Sequence, residues 1–238
     1  MKAVILAGGL GMRLKPFTEV IPKPLLPIGE KSVLEIQINR LKASGFEEIY
    51  LATNYKSEYI ENFFGDGSRL GVKLRISKEE KPLGTCGPIK LLKNNLNEPF
   101  LVMNGDILTT VDFFKIYQFA LNIESSFVVV TKEIVTPFEF GKLISEGDFI
   151  KGVEEKPNIK TEIIAGIYIL KTDILDLIPE NTYFGMDNLI NLMLEKHMPI
   201  ARYLIKDYWI DIGRIEDYQT AEDAYNDYFK GSSGNLVG

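Results

Sequence analysis

Residues 3 to 7, Ala-Val-Ile-Leu-Ala, are an unbroken apolar run that stops at Gly8, Gly9 and Gly11. A run of this length, closed by glycines, reads as one buried strand. A strand buried on both faces sits inside a mostly parallel sheet with helices above and below it. Past Ala7 the side chains vanish, so backbone N–H groups become reachable. Arg13 follows just beyond the glycines and Lys23 stands between Pro22 and Pro24. Exposed amides with two cations suit a polyanion.

The rest of the chain keeps the same rhythm of apolar runs and helical patterns, which is the pattern of a Rossmann-like α/β fold. Ser32 and Glu35 form a capping box ahead of Leu34, Ile38 and Leu41, and Gly45 ends that helix. Strands are expected at Glu48–Thr53, Val72–Ile76 and Pro99–Met103, and the segment from Pro82 to Pro88 should open a helix reaching Asn95. Asn104, Gly105 and Asp106 follow the third of these strands, at its carboxyl end, where open α/β sheets hold ligands. Gly8 and Asp106 should therefore face one crevice. A helix over Asp112–Asn122 leads to short strands at Phe127–Thr131, Lys142–Ser145 and Phe149–Glu155, the last two joined at Gly147-Asp148. They read as a small substrate-facing β layer. Strands at Ile163–Leu170, Ala201–Leu204 and Tyr208–Asp211, and helices over Asp187–Lys196 and Ile215–Phe229, complete the expected pattern. The expectation is one domain over residues 1–230, with a disordered tail at 231–238.

Composition excludes several chemistries. Cys86 and His197 are the only residues of their types among 238, so an internal disulfide, a cysteine zinc cluster and a histidine-dependent triad all fall away. Any metal should be a hard cation held by carboxylates. The formal charge of -6 argues against a nucleic-acid surface. Locally the sign reverses: Lys2, Arg13, Lys15 and Lys23 outnumber Glu19 in the first 25 residues. No run of 18 apolar residues and no export signal are present, so neither a membrane nor secretion is expected, and the default address is the cytoplasm.

Two generic phosphate-binding motifs fail on spacing. Leu14 stands where a dinucleotide fingerprint needs its third glycine, and no Gly-Lys-Ser/Thr of a P-loop follows. The company of the glycine turn is more specific. Gly-Gly-Leu-Gly-Met-Arg-Leu (8–14), Pro-Lys-Pro (22–24), Asn-Gly-Asp (104–106), Glu-Glu-Lys-Pro (154–157) and Trp-Ile-Asp-Ile-Gly (209–213) occur in that order. Together they make the chain resemble the sugar-1-phosphate nucleotidylyltransferases over nearly its whole length, from Lys2 to about Tyr228. Pro-Leu-Gly-Thr (82–85) and Asp-Ile-Gly-Arg (211–214) are similar to the guanylyltransferases of mannose-1-phosphate and related hexose or heptose phosphates. The thymidylyl and uridylyl branches, acting on glucose-1-phosphate, share the frame. Family members with a C-terminal β-helix run well beyond this length, so that domain is not expected here.

The resemblance implies a Mg²⁺-dependent transfer of a nucleoside monophosphate from GTP to a sugar-1-phosphate, with pyrophosphate leaving. It implies that Arg13 and Lys23 are catalytic, and that Leu6, Ala7, Gly8, Gly9, Gly11 and Met12 cradle the nucleotide together with Asn54, Gly84 and Thr85. Asp106 and Asp211 match magnesium ligands, and Asn104, Gly105, Glu155, Lys156 and Gly166 match the sugar-phosphate side. Ala165 stands where the family often has Asn, which removes one hydroxyl contact and leaves the sugar open. The residues themselves also permit plainer roles. Asn54 could cap the helix after it, Asp211 could cap the turn at Gly213, Trp209 reads as core, and Cys86 as packing. A silent nucleotide-sugar-binding regulator on the same fold is the second reading, and a dinucleotide oxidoreductase the third. The oligomeric state, including a homo-oligomer, is open from the residues.

Overall fold

The computed structural model describes residues 1–230; the tail expected to be disordered, 231–238, lies outside the described residues. Among the described residues thirteen strands occur in chain order: β1 (Lys2–Leu6), β2 (Pro27–Ile28), β3 (Lys31–Ser32), β4 (Glu48–Thr53), β5 (Lys73–Lys78), β6 (Phe100–Asn104), β7 (Ile107–Thr109), β8 (Phe127–Pro137), β9 (Lys142–Glu146), β10 (Phe149–Glu154), β11 (Asn158–Leu170), β12 (Ile200–Ile205) and β13 (Trp209–Asp211). The α-helices are α1 (Phe17–Val20), α2 (Val33–Ala43), α3 (Ser57–Phe64), α4 (Gly87–Lys90), α5 (Phe113–Asn122), α6 (Met186–Glu195) and α7 (Ile215–Tyr228). Seven strands form the main sheet in the order β12-β8-β11-β6-β1-β4-β5, and only β11 runs against the others. The Rossmann-like, mostly parallel sheet expected from the sequence is the one observed.

Strand β1 is central because its residues alternate between two cores. Ala3 and Ile5 pack with Leu34, Ile38 and Leu41 of α2 on one face, whereas Val4 packs with Ile89 and Leu189 on the other. All of these side chains are fully enclosed, and burying each such aliphatic side chain stabilises the fold by roughly 1.5–3 kcal/mol. A third cluster joins Leu14, Ile28 and Ile212 to Ala221 and Tyr225 of α7, tying the C-terminal helix beneath the glycine turn.

From β1 the chain builds outward to β4 and β5, then returns to place β6 on the other side of β1. This reversal is the topological switch point, and it opens a crevice at the carboxyl ends of β1 and β6. Leu6 pairs with Asn104 in register, so the two loops that follow, Gly8–Gly11 and Gly105-Asp106, start side by side.

Three boundaries differ from expectation by five residues or more, and others by one or two. The helix expected to reach Asn95 stops at Lys90, and the backbone continues in tighter i→i+3 bonds such as Lys93 N–H to the Lys90 carbonyl. Asn94 and Asn95 are poor helix formers because their side chains compete for the backbone. Strand β8 continues to Pro137, and β11 begins at Asn158, five residues before expected. These extensions carry Lys132, Glu133, Lys160 and Glu162, so no apolar run announces them. Beyond them β9 and β10 form a separate two-stranded ribbon.

Candidate active site

Two cavities open at the switch point. One, of about 360 Å³, is lined by Leu6, Gly8, Gly9, Asn54, Gly84 and Asp106 among others, and the second, of about 290 Å³, by Gly166, Tyr168, Asp187, Trp209 and Asp211. Thr85 and Asn104 line both, so the cavities abut. Asp106 faces the first and Asp211 the second.

The elements explain why these carboxylates meet. Strand β13 pairs antiparallel with β7, placing Asp211 opposite Ile107, and the Ile212 amide donates to the Asp106 carbonyl at 2.9 Å. Asp106 Oδ2 accepts from Lys23 Nζ at 2.5 Å, in a pair whose lysine is almost wholly enclosed. Arg13 is exposed, yet its guanidinium lies 3.3 Å from where a Cβ on Gly213 would stand, and it acts on the Asp211 carboxylate from that side. Burial first, and then the neighbouring Asp106 charge, push the Asp211 carboxyl above its ordinary range, while Lys23 and Arg13 pull it down.

Asp106 Oδ1 and Asp211 Oδ1 are both buried without a hydrogen-bond partner among the described residues. Buried, unpartnered carboxylate oxygens are costly in a folded chain and mark a place where a cation can bind. The described residues contain no group of three or more His, Cys, Asp or Glu that could hold a metal; two carboxylates are the number a hard cation such as magnesium takes when phosphate oxygens complete its shell. A test of stability follows from the same repulsion. A carboxyl whose pKa is raised on folding contributes stability at acid pH and loses it as pH rises through the raised value. Asp211→Asn should therefore stabilise the ligand-free protein by about 0.5–2 kcal/mol near neutral pH and by less at pH 5, as read by thermal melting at the two pH values.

At the first cavity, Asn54 does not cap α3, whose N-cap is Lys56; its amide instead reaches the Glu79 carbonyl at 3.3 Å and lines the cavity. Gly84 and Thr85 are strapped to residues 182–186. Cys86 and Gly87 amides donate to the Phe184 carbonyl, and the Met186 amide donates to Thr85 Oγ1 at 2.9 Å. Cys86 itself is buried, its thiol pushed up to about 12, which makes it packing and not a nucleophile. At the second cavity, Gly166 has a φ of 68° at an irregularity of the β11 ladder, and a Cβ there would stand 2.7 Å from Asn104 Nδ2. Only glycine lets the strand bend into the cavity at that point. Ala165 is enclosed, and its carbonyl accepts from Trp209 Nε1 at 2.8 Å. Trp209 therefore packs against the core and also lines the second cavity.

The structure brings together Leu6, Gly8, Gly9, Lys23, Asn54, Gly84, Thr85, Asn104, Asp106, Gly166 and Asp211. Ala7 and Gly105 lie in the backbone beneath them: the Gly105 amide donates to the Leu6 carbonyl at 2.9 Å. Gly11 and Met12 sit beside the rim, with Met12 exposed. Glu155 and Lys156 line neither cavity; both are exposed just beyond β10, on the projecting ribbon.

Among the residues that sequence reading missed, a buried acid stands at the first cavity. Glu79 is only 8% exposed, its Oε2 accepts from the Leu83 amide at 2.8 Å, and its Oε1 lies 3.1 Å from where a Cβ on Gly8 would stand. Burial holds its carboxyl above the ordinary range. Tyr183 and Asp187 line the two cavities as well. Glu79 sits in Lys-Glu-Glu-Lys-Pro, which reads as a solvated turn; the signal that could have found it is the Leu83-Gly84 that folds back over it.

The chain is similar to several named proteins. Probable mannose-1-phosphate guanylyltransferase 1 of Oryza sativa subsp. japonica is 34% identical over 236 residues, covering 95% of this chain and 65% of the relative, so the chain spans about two thirds of that relative's length. The D-glycero-alpha-D-manno-heptose 1-phosphate guanylyltransferase of Campylobacter jejuni is 38% identical over 221 residues, covering 92% of this chain and 97% of the relative. Among solved structures, HddC of Yersinia pseudotuberculosis complexed with GMP-PN superposes with a TM-score of 0.74 at 30% identity, covering 94% of this chain and 99% of that one. A glucose-1-phosphate thymidylyltransferase described as putative, from Bacillus anthracis, shares the fold with a TM-score of 0.78 at 23% identity, covering 100% of this chain and 97% of that one. The profile of the Nucleotidyl transferase family matches residues 2–228, and with that match the chain belongs to this family.

Proposed function

We propose that the protein transfers guanylate from GTP to a sugar-1-phosphate, mannose-1-phosphate or a related hexose or heptose phosphate, releasing pyrophosphate. The observation that carries this reading is the pair of abutting cavities with Asp106 on one side and Asp211 on the other. Joining two phosphate-bearing substrates sets anions against each other, and two unit charges 4 Å apart repel by roughly 4 kcal/mol at a surface-like dielectric. Lys23 and Arg13 supply opposing charge beside the two carboxylates, and the Gly8–Gly11 backbone offers N–H groups to phosphate oxygens. In this reading Arg13 forks onto the triphosphate and Lys23 acts near the α-phosphate. Magnesium held by Asp106 and Asp211 would neutralise charge on the triphosphate as it transfers. The sugar phosphate attacks the α-phosphorus in line, so no covalent protein intermediate is needed.

Glu79 favours guanine. The Watson–Crick edge of guanine presents two adjacent donors, N1–H and N2–H, which suit the two lone-pair-bearing oxygens of one carboxylate. Adenine and cytosine set an acceptor at the central position, and uracil or thymine flanks one donor with two carbonyls, which a carboxylate repels. On the sugar side, Asp187 and Asn104 offer polar groups to hydroxyls, and Trp209 and Tyr168 offer apolar faces. Lys156, and Glu155 beside it, would meet the sugar phosphate through the ribbon that carries them. No helix among the described residues is long and apolar enough to cross a membrane, in keeping with work on soluble substrates in the cytoplasm. Initial rates of pyrophosphate release with five nucleoside triphosphates against a panel of sugar-1-phosphates test the reading. The highest kcat/KM should fall on GTP with a manno-configured sugar; a maximum on dTTP or UTP with glucose-1-phosphate would replace it with the thymidylyl or uridylyl reading.

A further inference from the structure

Gln37 stands on the face of α2 that packs against the sheet, between the buried Leu34 and Leu41, and is only 2% exposed. An apolar side chain would ordinarily occupy such a place, since an amide loses its water there. Its Nε2 donates to the Asn104 carbonyl at 3.0 Å and to the Ile107 carbonyl at 2.7 Å. Two carbonyl acceptors require the NH₂ end of the amide, which fixes its orientation. Its Oε1 is left buried and without a partner among the described residues. The two accepting carbonyls bracket Gly105 and Asp106, so one amide ties both ends of the turn that presents Asp106.

Other elements grip the same turn. The Leu6 carbonyl holds the Gly105 amide, a Cβ on Gly105 would stand 2.7 Å from that carbonyl, and the Ile212 amide holds the Asp106 carbonyl. Of these grips only Gln37 is a side chain, and it reaches the turn from α2 without lining either cavity. We propose that Gln37 is a positioning residue that sets the Asp106 carboxylate for its cation, and that this is why an amide is kept in an otherwise apolar helix face. The inference rests on the proposed metal-dependent transfer. Groups behind a metal ligand typically change metal affinity or activity by about 10- to 100-fold when removed.

Arg40 gives a matched control. It lies on the same helix and donates to the Thr110 and Val111 carbonyls, beyond β7 and away from Asp106. The experiment titrates Mn²⁺ calorimetrically into full-length protein with bound GTP and no sugar phosphate, for wild type, Gln37→Met, Gln37→Glu and Arg40→Met, each with a thermal melt. Gln37→Met should weaken Mn²⁺ binding by about 10-fold or more and raise the metal concentration for half-maximal rate similarly, with kcat at saturating metal within a few-fold of wild type. Arg40→Met should lower the melting temperature without moving the Mn²⁺ affinity. Gln37→Glu keeps the shape and carries the test should the methionine variant fail to fold. Unchanged Mn²⁺ affinity in the Gln37 variants, or an equal loss in Arg40→Met, overturns the proposal alone. Absence of Mn²⁺ binding to wild type overturns the metal reading, and the proposal with it.

Discussion

Asp106→Asn should lower turnover by about 10³-fold while leaving the far-ultraviolet circular dichroism spectrum unchanged. The carboxylate has two uses, and asparagine spoils both. Its Oδ2 anchors Lys23 at 2.5 Å, and its Oδ1 is buried without a hydrogen-bond partner among the described residues. An amide keeps the volume and accepts one hydrogen bond from Lys23, so the core beneath, made by Ile107 and Met103, is untouched. What disappears is the negative charge that orients the lysine and would hold the cation. A fall of less than 10-fold at saturating substrate and metal would remove Asp106 from the reaction. The size of the effect separates the two readings because a residue serving only a turn would change the melting temperature more than kcat.

Glu79→Gln should lower kcat/KM for GTP by about 10²-fold, the loss expected when a charge-assisted pair of hydrogen bonds worth about 3 kcal/mol is broken. The same change should raise kcat/KM for UTP and dTTP, because an amide can donate to a pyrimidine carbonyl and accept from N3–H at once. The GTP-to-UTP ratio then falls by more than either rate alone. Burial holds the Glu79 carboxyl above its usual range, so its preference for guanine should fade as pH falls through that raised value. Measuring kcat/KM for GTP and UTP in wild type and variant from pH 5 to 8 checks all of this. A variant with wild-type discrimination would leave base reading to the backbone of Gly84 and Leu6.

The core of the site was legible because its residues break local rules in ways physics can interpret. Asp106 follows a fully buried strand, Asp211 sits between Ile210 and Ile212, and glycines interrupt an apolar run just where β1 leaves the sheet. Each is a group out of place unless it meets a ligand. The mostly parallel sheet was legible from the alternation of runs, since β1 and its neighbours are almost wholly apolar, whereas the order of its strands comes from the structure. The margins were not legible for the opposite reason. Beyond Lys132 the end of β8 pairs only with the start of β11, and both mix charged and apolar residues, so nothing in their local pattern separates ladder from loop. Glu79 lies in a charged pentapeptide, and only the closing of Leu83 over it makes it a buried acid. Gln37 did leave a trace: a polar residue on the stripe formed by Leu34, Ile38 and Leu41 is an anomaly at the sequence level. The resemblance pointed to Lys156 by its motif, whereas the structure sets it at a φ of 43° on the exposed ribbon, outside both cavities. A motif assigns a residue type to a task, but the long antiparallel arm that carries it decides where it stands.

The account rests on two substrates meeting across Asp106 and Asp211. Phosphorus-31 NMR of the protein with GTP, mannose-1-phosphate and Mg²⁺ reads that meeting directly. The paired resonances of a new sugar-linked diphosphate should grow together with pyrophosphate, in equal amounts, and neither should appear when the sugar phosphate or the metal is left out. Pyrophosphate or GMP formed without sugar phosphate, or GTP left intact when all three are present with every sugar-1-phosphate of the panel, would contradict it.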